Sequence, residues 1–153
     1  MKIELRPATP DDLEFARRLH HTAYRDVIVR QFGGWDEELQ DSFFEEKWCP
    51  TETRIVIVGG RGIGLLQVQA QEHLIEIVEI QLLPEYQGRG IGSTLLKNEL
   101  ELADRAGLPT ILRVLKENRA RDLYSKLDFK VMGSSETHYF MERESQTRVI
   151  HSK

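Results

Sequence analysis

The sequence predicts an α+β fold, and three observations carry that reading. Apolar residues recur at steps of three and four in some segments and alternate in others. The two kinds of segment follow one another as β-α-α-β-β-β-α-β-α-β-β, so that adjacent strands are flanked by helices. The 153 residues suit one domain with one core, a length at which roughly 68–70% of the unfolded surface can be buried.

The elements can be justified in order. "KIELR" alternates and stops at Pro7, after which Thr9 offers an N-cap, Pro10 a first helical position and Asp12 the capping-box acid. Leu13, Ala16, His20, Ala23 and Val27 then form one apolar stripe. "FGGWDEELQDSFFEEKW" breaks at Gly33-Gly34 and restarts from Asp36 as N-cap, with Leu39 and Phe43 on one face. "TRIVIVGGRGIGLLQVQAQ" reads as two strands joined by a glycine turn, and "HLIEIVEIQLL" as a third stopped by Pro84, an antiparallel meander. Leu95, Leu96, Leu102, Ala103 and Ala106 mark a helix ending near Gly107, followed by the strand "TILRVL". A short helix with the stripe Ala120, Leu123, Tyr124 and Leu127 precedes two closing strands, "FKVMG" and "THYFMER". The domain is read as residues 1–143, with 144–153 a loose polar C-terminal tail. Its "RVI" could pair with a second chain, which leaves a homodimer open.

Composition excludes several functions. With 21 basic and 25 acidic residues, a formal charge of -4 and no dense Lys/Arg stripe, nucleic acid is not expected as a partner. Cys49 is the only cysteine, which rules out an intramolecular disulfide. "MKIELRPATPDD" lacks the apolar core of a secretory signal, and no apolar run approaches the ~18–20 residues of a membrane span. A soluble cytoplasmic protein with no membrane partner is the expectation. His20 and His21 are adjacent and no H-E-x-x-H occurs, so no metal is expected.

The most informative stretch is "PEYQGRGIGSTLL", in which Gly88, Gly90 and Gly92 lie between a strand and a helix start. Backbone N–H groups there, with the positive end of the helix, favour an anion, and missing side chains let a phosphate approach. A Walker A loop would need Gly-Lys-Ser/Thr, and Ser93 follows Gly92 directly. A dinucleotide fingerprint would need glycine where Ser93 stands, within an early βαβ unit. The pattern Gln/Arg-x-x-Gly-x-Gly/Ala of an acyl-coenzyme A pyrophosphate loop is met by Gln87, Gly90 and Gly92.

Together with "EIVEIQLLPEYQGRGIG" and "ENRARDLYSKLDF", this loop resembles the GNAT superfamily of acyl-coenzyme A dependent N-acetyltransferases. The likeness is specific from about Glu76 to Phe129, and Asp128 stands where the family usually has glycine. The resemblance implies the GNAT fold: α/β/α layers around a mixed, mostly antiparallel sheet of about seven strands with about four helices, the fourth and fifth strands splayed. It implies acetyl-coenzyme A as co-substrate, with Ile80 and Leu82 along the pantetheine arm. Gln87, Gly88, Arg89, Gly90, Ile91, Gly92 and Ser93 would lie at the pyrophosphate, and Asn118 would fix the arm. Tyr124 would be the general acid and either Glu76 or Glu79 the base, Glu76 being preferred. The implied reaction is direct transfer to an amine of a small molecule or protein, the alternative being a non-catalytic acyl-coenzyme A sensor. Phe32, Trp35 and Phe43 are either core residues or the lining of the acceptor entrance.

Overall fold

A computed structural model describes residues 1–146 of the chain. The fold class is the expected one, α+β, with seven strands and four α-helices among the described residues. The chain divides into two compact units, Met1–Gln69 with Ile77–Gly92, and Ala70–Glu76 with the residues from Ser93 onward. Among the described residues, no helix is long and apolar enough to cross a membrane.

The first unit holds β1 (Ile3–Pro7), α1 (Leu13–Phe32), α2 (Glu37–Lys47), β2 (Thr53–Val58) and most of β3 (Arg61–Ala70) and β4 (Ile75–Leu82). The capping residues act as expected. The Thr9 backbone N–H donates to the Asp12 carboxylate at 2.8 Å, and a 3₁₀ turn over Pro10–Asp12 leads into α1. Arg6 grips the same carboxylate at 2.8 and 2.9 Å, which holds Asp12 below the usual carboxylate range. α1 stops at Gly33, whose φ of 83° suits a residue without Cβ, and Asp36 caps α2 by accepting from the Leu39 N–H at 3.1 Å.

The buried faces of both helices differ from the sequence expectation. On α1, Leu19 and Ile28 join Ala16 and Val27 in the core, while His20 and Ala23 are half-buried. On α2, Gln40 and Phe44 are buried, whereas Leu39 and Phe43 are 47% and 46% exposed. Neighbouring phenylalanines offer two stripes one residue apart. The choice is made by the cluster of Ala16, Leu19, Phe44, Ile55 and Leu65, which uses residues of β2 and β3 that helical periodicity cannot see.

β1 pairs antiparallel with β2 from Ile3–Val58 to Pro7–Arg54, and β2 with β3 from Thr53–Gln67 to Val58–Arg61, with a bulge between Val56 and Ile57. Gly59 and Gly60, at φ 59° and 76°, make the two-residue hairpin turn. At Gly64 a Cβ would lie 2.4 Å from the Gln81 carbonyl oxygen, so β3 meets β4 backbone to backbone there. The Leu83 N–H donates to the Ile63 carbonyl at 2.8 Å, just beyond the end of β4.

The second unit contains α3 (Ile91–Ala106) from Ser93 on, β5 (Thr110–Leu115), α4 (Ala120–Lys126), β6 (Lys130–Ser134) and β7 (His138–Arg143). Its strands run in the order β5-β7-β6, both pairs antiparallel. Leu95, Leu96, Leu100 and Ala103 form the buried face of α3. Leu102 is 56% exposed, and Leu100 fills the place expected of it because the stripe runs by steps of four. Asp128 takes the left-handed conformation at φ 73° just after α4, as its glycine-like place implied.

Arg143 donates to both oxygens of Asp104 at 2.8 and 3.1 Å and to the Leu127 carbonyl at 3.1 Å. Gln146 ties its backbone N–H to Asp104 at 2.9 Å and its side chain to Asp128 at 2.7 Å, so the expected loose tail is anchored as far as Gln146. The "RVI" segment lies outside the described residues.

Candidate active site

The glycine loop lies entirely in the first unit up to Gly92. β4 ends at Leu82, and a 3₁₀ turn over Pro84–Tyr86 reverses the chain. The Gln87 side chain then folds back, donating from Nε2 to the Leu82 carbonyl at 3.0 Å, so Gln87 braces the loop instead of reaching outward. Gly88 and Gly90 adopt φ 73° and 83°, are exposed, and have no atom within 4 Å of where a Cβ would be. Gly92 is helical, and a Cβ there would touch Ile80 and Leu82 side chains at 4.0 Å. Ile80 and Leu82 are thus brought beside the start of α3. Ile91 is buried, 1% exposed, so its side chain packs inward at the start of α3. Arg89 stacks over Tyr86 at 5.2 Å and Arg61 over the same ring at 5.9 Å, bordering the loop with two guanidinium groups.

A second cluster in this unit centres on Glu79, whose side chain is only 10% exposed. Tyr24 of α1 donates its hydroxyl to Glu79 Oε2 at 2.5 Å, Gln81 Nε2 donates to the same oxygen at 3.3 Å, and Lys47 of α2 approaches Oε1 at 3.3 Å. Gln81 Nε2 also lies 3.5 Å from His20 Nδ1, while His20 Nε2 faces Gln40 Oε1 at 3.1 Å. Burial holds His20 below its usual pKa, which agrees with a neutral ring carrying its proton on Nε2. Two acceptors pin the Gln81 NH₂ group, and Gln81 Oε1 is left buried without a donor. Trp35 is half-buried against His21 at 5.4 Å, whereas Phe32 and Phe43 are exposed.

Glu76 is a half-buried residue of β4 and belongs to the second unit. Ser93 is half-buried in the first turn of α3. Tyr124 is 6% exposed on α4, its ring edge-on to Phe129 at 5.9 Å. Asn118, just ahead of the Arg119 N-cap of α4, accepts from the Ala120 N–H at 2.9 Å, which ties its side chain to the first residue of that helix.

Residues 51–131 match the acetyltransferase (GNAT) domain family. The chain belongs to the GNAT acetyltransferases. It is 24% identical over 164 residues to the spermidine N(1)-acetyltransferase of Thermoplasma acidophilum, covering 96% of this chain and all of that one. It is 34% identical over 83 residues to CgeE of Bacillus subtilis, named an uncharacterized N-acetyltransferase; these residues are 52% of this chain and 32% of CgeE, so the match spans about a third of that relative. Its fold is similar to the crystal structure of the PaiA N-acetyltransferase of T. acidophilum in complex with coenzyme A, with a TM-score of 0.77 at 22% identity over 94% of this chain and 99% of that one.

Of the two clusters in this GNAT chain, sequence reasoning singles out the loop and, in the second, only Glu79. Tyr24, Lys47, Gln81 and Arg61 were not expected at a site. The polar positions of "HHTAY" on an otherwise apolar-striped helix were the available signal for His20 and Tyr24.

Proposed function

We propose that this GNAT chain transfers the acetyl group of acetyl-coenzyme A to a primary amine, without an acyl-enzyme. The observation that carries this reading is the Gly88–Gly92 segment, where two exposed left-handed glycines, Gly88 and Gly90, lead into α3 while Ile80 and Leu82 lie beside Gly92. An oxyanion of the pyrophosphate suits that backbone and the helix end, with Arg89 and Arg61 as cations near it. The coenzyme A in the PaiA complex and the small amine named for the spermidine relative support donor and acceptor respectively.

Acetyl-coenzyme A supplies an activated carbonyl on a leaving group that departs as a thiol. The chain's task is to present a neutral amine and to protonate that sulfur. An alkylamine of pKa about 10.4 costs about 4–5 kcal/mol to deprotonate at pH 7. Glu79 is better placed for that proton than the sequence-preferred Glu76: it is nearly buried and oriented by Tyr24 and Gln81, and its Oε1 already faces an ammonium group. Tyr124 is assigned as the acid and Asn118 as the residue that orients the pantetheine arm. Soluble cytoplasmic action fits a small-amine acceptor.

The test is acetyl-coenzyme A dependent thiol release across a panel of polyamines, aryl amines and N-terminal peptides. Release with at least one primary amine supports the reading. A cofactor-induced rise in melting temperature with no release from any member would make the chain a sensor instead.

A further inference from the structure

Lys47 is the last residue of α2, and its two ends are held very differently. Its carbonyl accepts from Gln67 Nε2 at 3.1 Å, which fixes the backbone, while the side chain is 57% exposed and ends 3.3 Å from Glu79 Oε1. The other carboxylate oxygen is occupied by Tyr24 and Gln81. A primary alkylammonium therefore already stands on the open side of the carboxylate assigned as base. Its flexible four-carbon stem lets the head move while the backbone stays fixed. From Leu82, beside Gly92, back to Glu79 is three residues of strand, about 10 Å along the direction assigned to the pantetheine arm.

Resting on the acetyl-transfer reading above, we propose that Lys47 is itself an acetyl acceptor, modified in cis by its own chain. The Lys47 ammonium gives one proton to Glu79, and the neutral Nζ attacks the thioester carbonyl. The new N–C bond forms as the C–S bond breaks. Of the two protons left on Nζ, one stays on the amide nitrogen and the other passes through solvent to the departing thiolate, so that coenzyme A leaves as its thiol. The product at Lys47 is a neutral amide that can no longer pair with Glu79. Self-acetylation therefore frees Glu79 Oε1 for an incoming amine, which makes Lys47 a resident occupant of the acceptor's place.

The experiment incubates the full chain with acetyl-coenzyme A and no added amine, followed by intact mass measurement and peptide mapping. The expected result is one acetyl group on Lys47, formed with a rate constant independent of protein concentration. Lys47→Arg should carry no acetyl group at that position, Glu79→Gln should slow the modification at least 10-fold, and Gly92→Val, lacking the cofactor seat, should remain unmodified. Label spread equally over exposed lysines such as Lys97 and Lys126, and unchanged in Gly92→Val, shows solution chemistry and overturns the proposal. A rate that rises with protein concentration overturns the cis step. An unmodified Lys47 in a protein that still binds acetyl-coenzyme A and acetylates an amine overturns self-acetylation but leaves the transferase reading standing. Loss of cofactor binding as well removes both.

Discussion

Replacing Gly92 with Val separates the loop's ligand role from its structural role. Gly92 is helical, so a side chain there meets no left-handed backbone, and its Cβ would make ordinary contact with Ile80 and Leu82 at 4.0 Å. In a helix Val is favoured over Gly by a few tenths of a kcal/mol, and a domain of this size shifts by about 2–4 °C per kcal/mol, so the apo melting temperature should move by no more than about 2 °C. Gly90→Val is a poorer probe because φ 83° imposes a further cost of about 1–2 kcal/mol on an L-residue. With acetyl-coenzyme A at about 100 times Kd, the unmodified protein gains about 2.7 kcal/mol by mass action, a rise of about 5–11 °C. If the branched side chain weakens binding about 100-fold, the gain falls to about 0.4 kcal/mol, or about 1–2 °C. Thermal melts of both proteins with and without the cofactor read all four values. An undiminished cofactor shift in Gly92→Val would refute the assignment of this backbone to the pyrophosphate. A collapsed apo melting temperature would refute the argument that Gly92 is free of structural demand.

Glu79→Gln should lower neutral-pH turnover by about 10²-fold or more and recover part of it at high pH, where the ammonium loses its proton unaided. If Glu76→Gln shows that profile and Glu79→Gln does not, the base is Glu76. Tyr124→Phe should keep the cofactor-induced shift while turnover falls about 10²-fold; intact turnover with a large drop in melting temperature would reduce Tyr124 to its packing against Phe129. Hydrogen bonding from Arg143 lowers the pKa of Asp104, so the stability from this pair is present above the unfolded carboxylate value of about 3.9 and is lost as pH falls through the lower folded value. Acid titration monitored by circular dichroism should therefore show a shallower loss below about pH 4 in Arg143→Met than in the unmodified chain, and parallel curves would contradict this.

The parts legible in the sequence are those whose cause is local. The glycines of the 59–60 turn, the Thr9 and Asp36 caps and the left-handed Asp128 each follow from what one residue's backbone or short side chain can do. The buried faces of α1 and α2 were only half legible, because adjacent Leu39-Gln40 and Phe43-Phe44 pairs satisfy the same periodicity and only the opposing strands choose between them. The network at Glu79 was not legible. Tyr24 and Lys47 lie 55 and 32 residues away along the chain, and nothing in their spacing announces that α1 and α2 place them on one carboxylate.

Gly64 carries no chemistry, yet its place on β3 ties it to the reaction. With the Gln81 carbonyl 2.4 Å from where a Cβ would stand, even a methyl group has to push on the backbone of β4, two residues from Glu79. The displaced atom is main chain, so no rotamer change can absorb the push. A mutational scan read only through turnover would therefore score Gly64 beside the residues proposed as acid and base, although it is assigned no contact with a reactant. The same contact closes a common route to a more stable enzyme, the exchange of strand glycines for alanine, at the point where rigidity would be most useful.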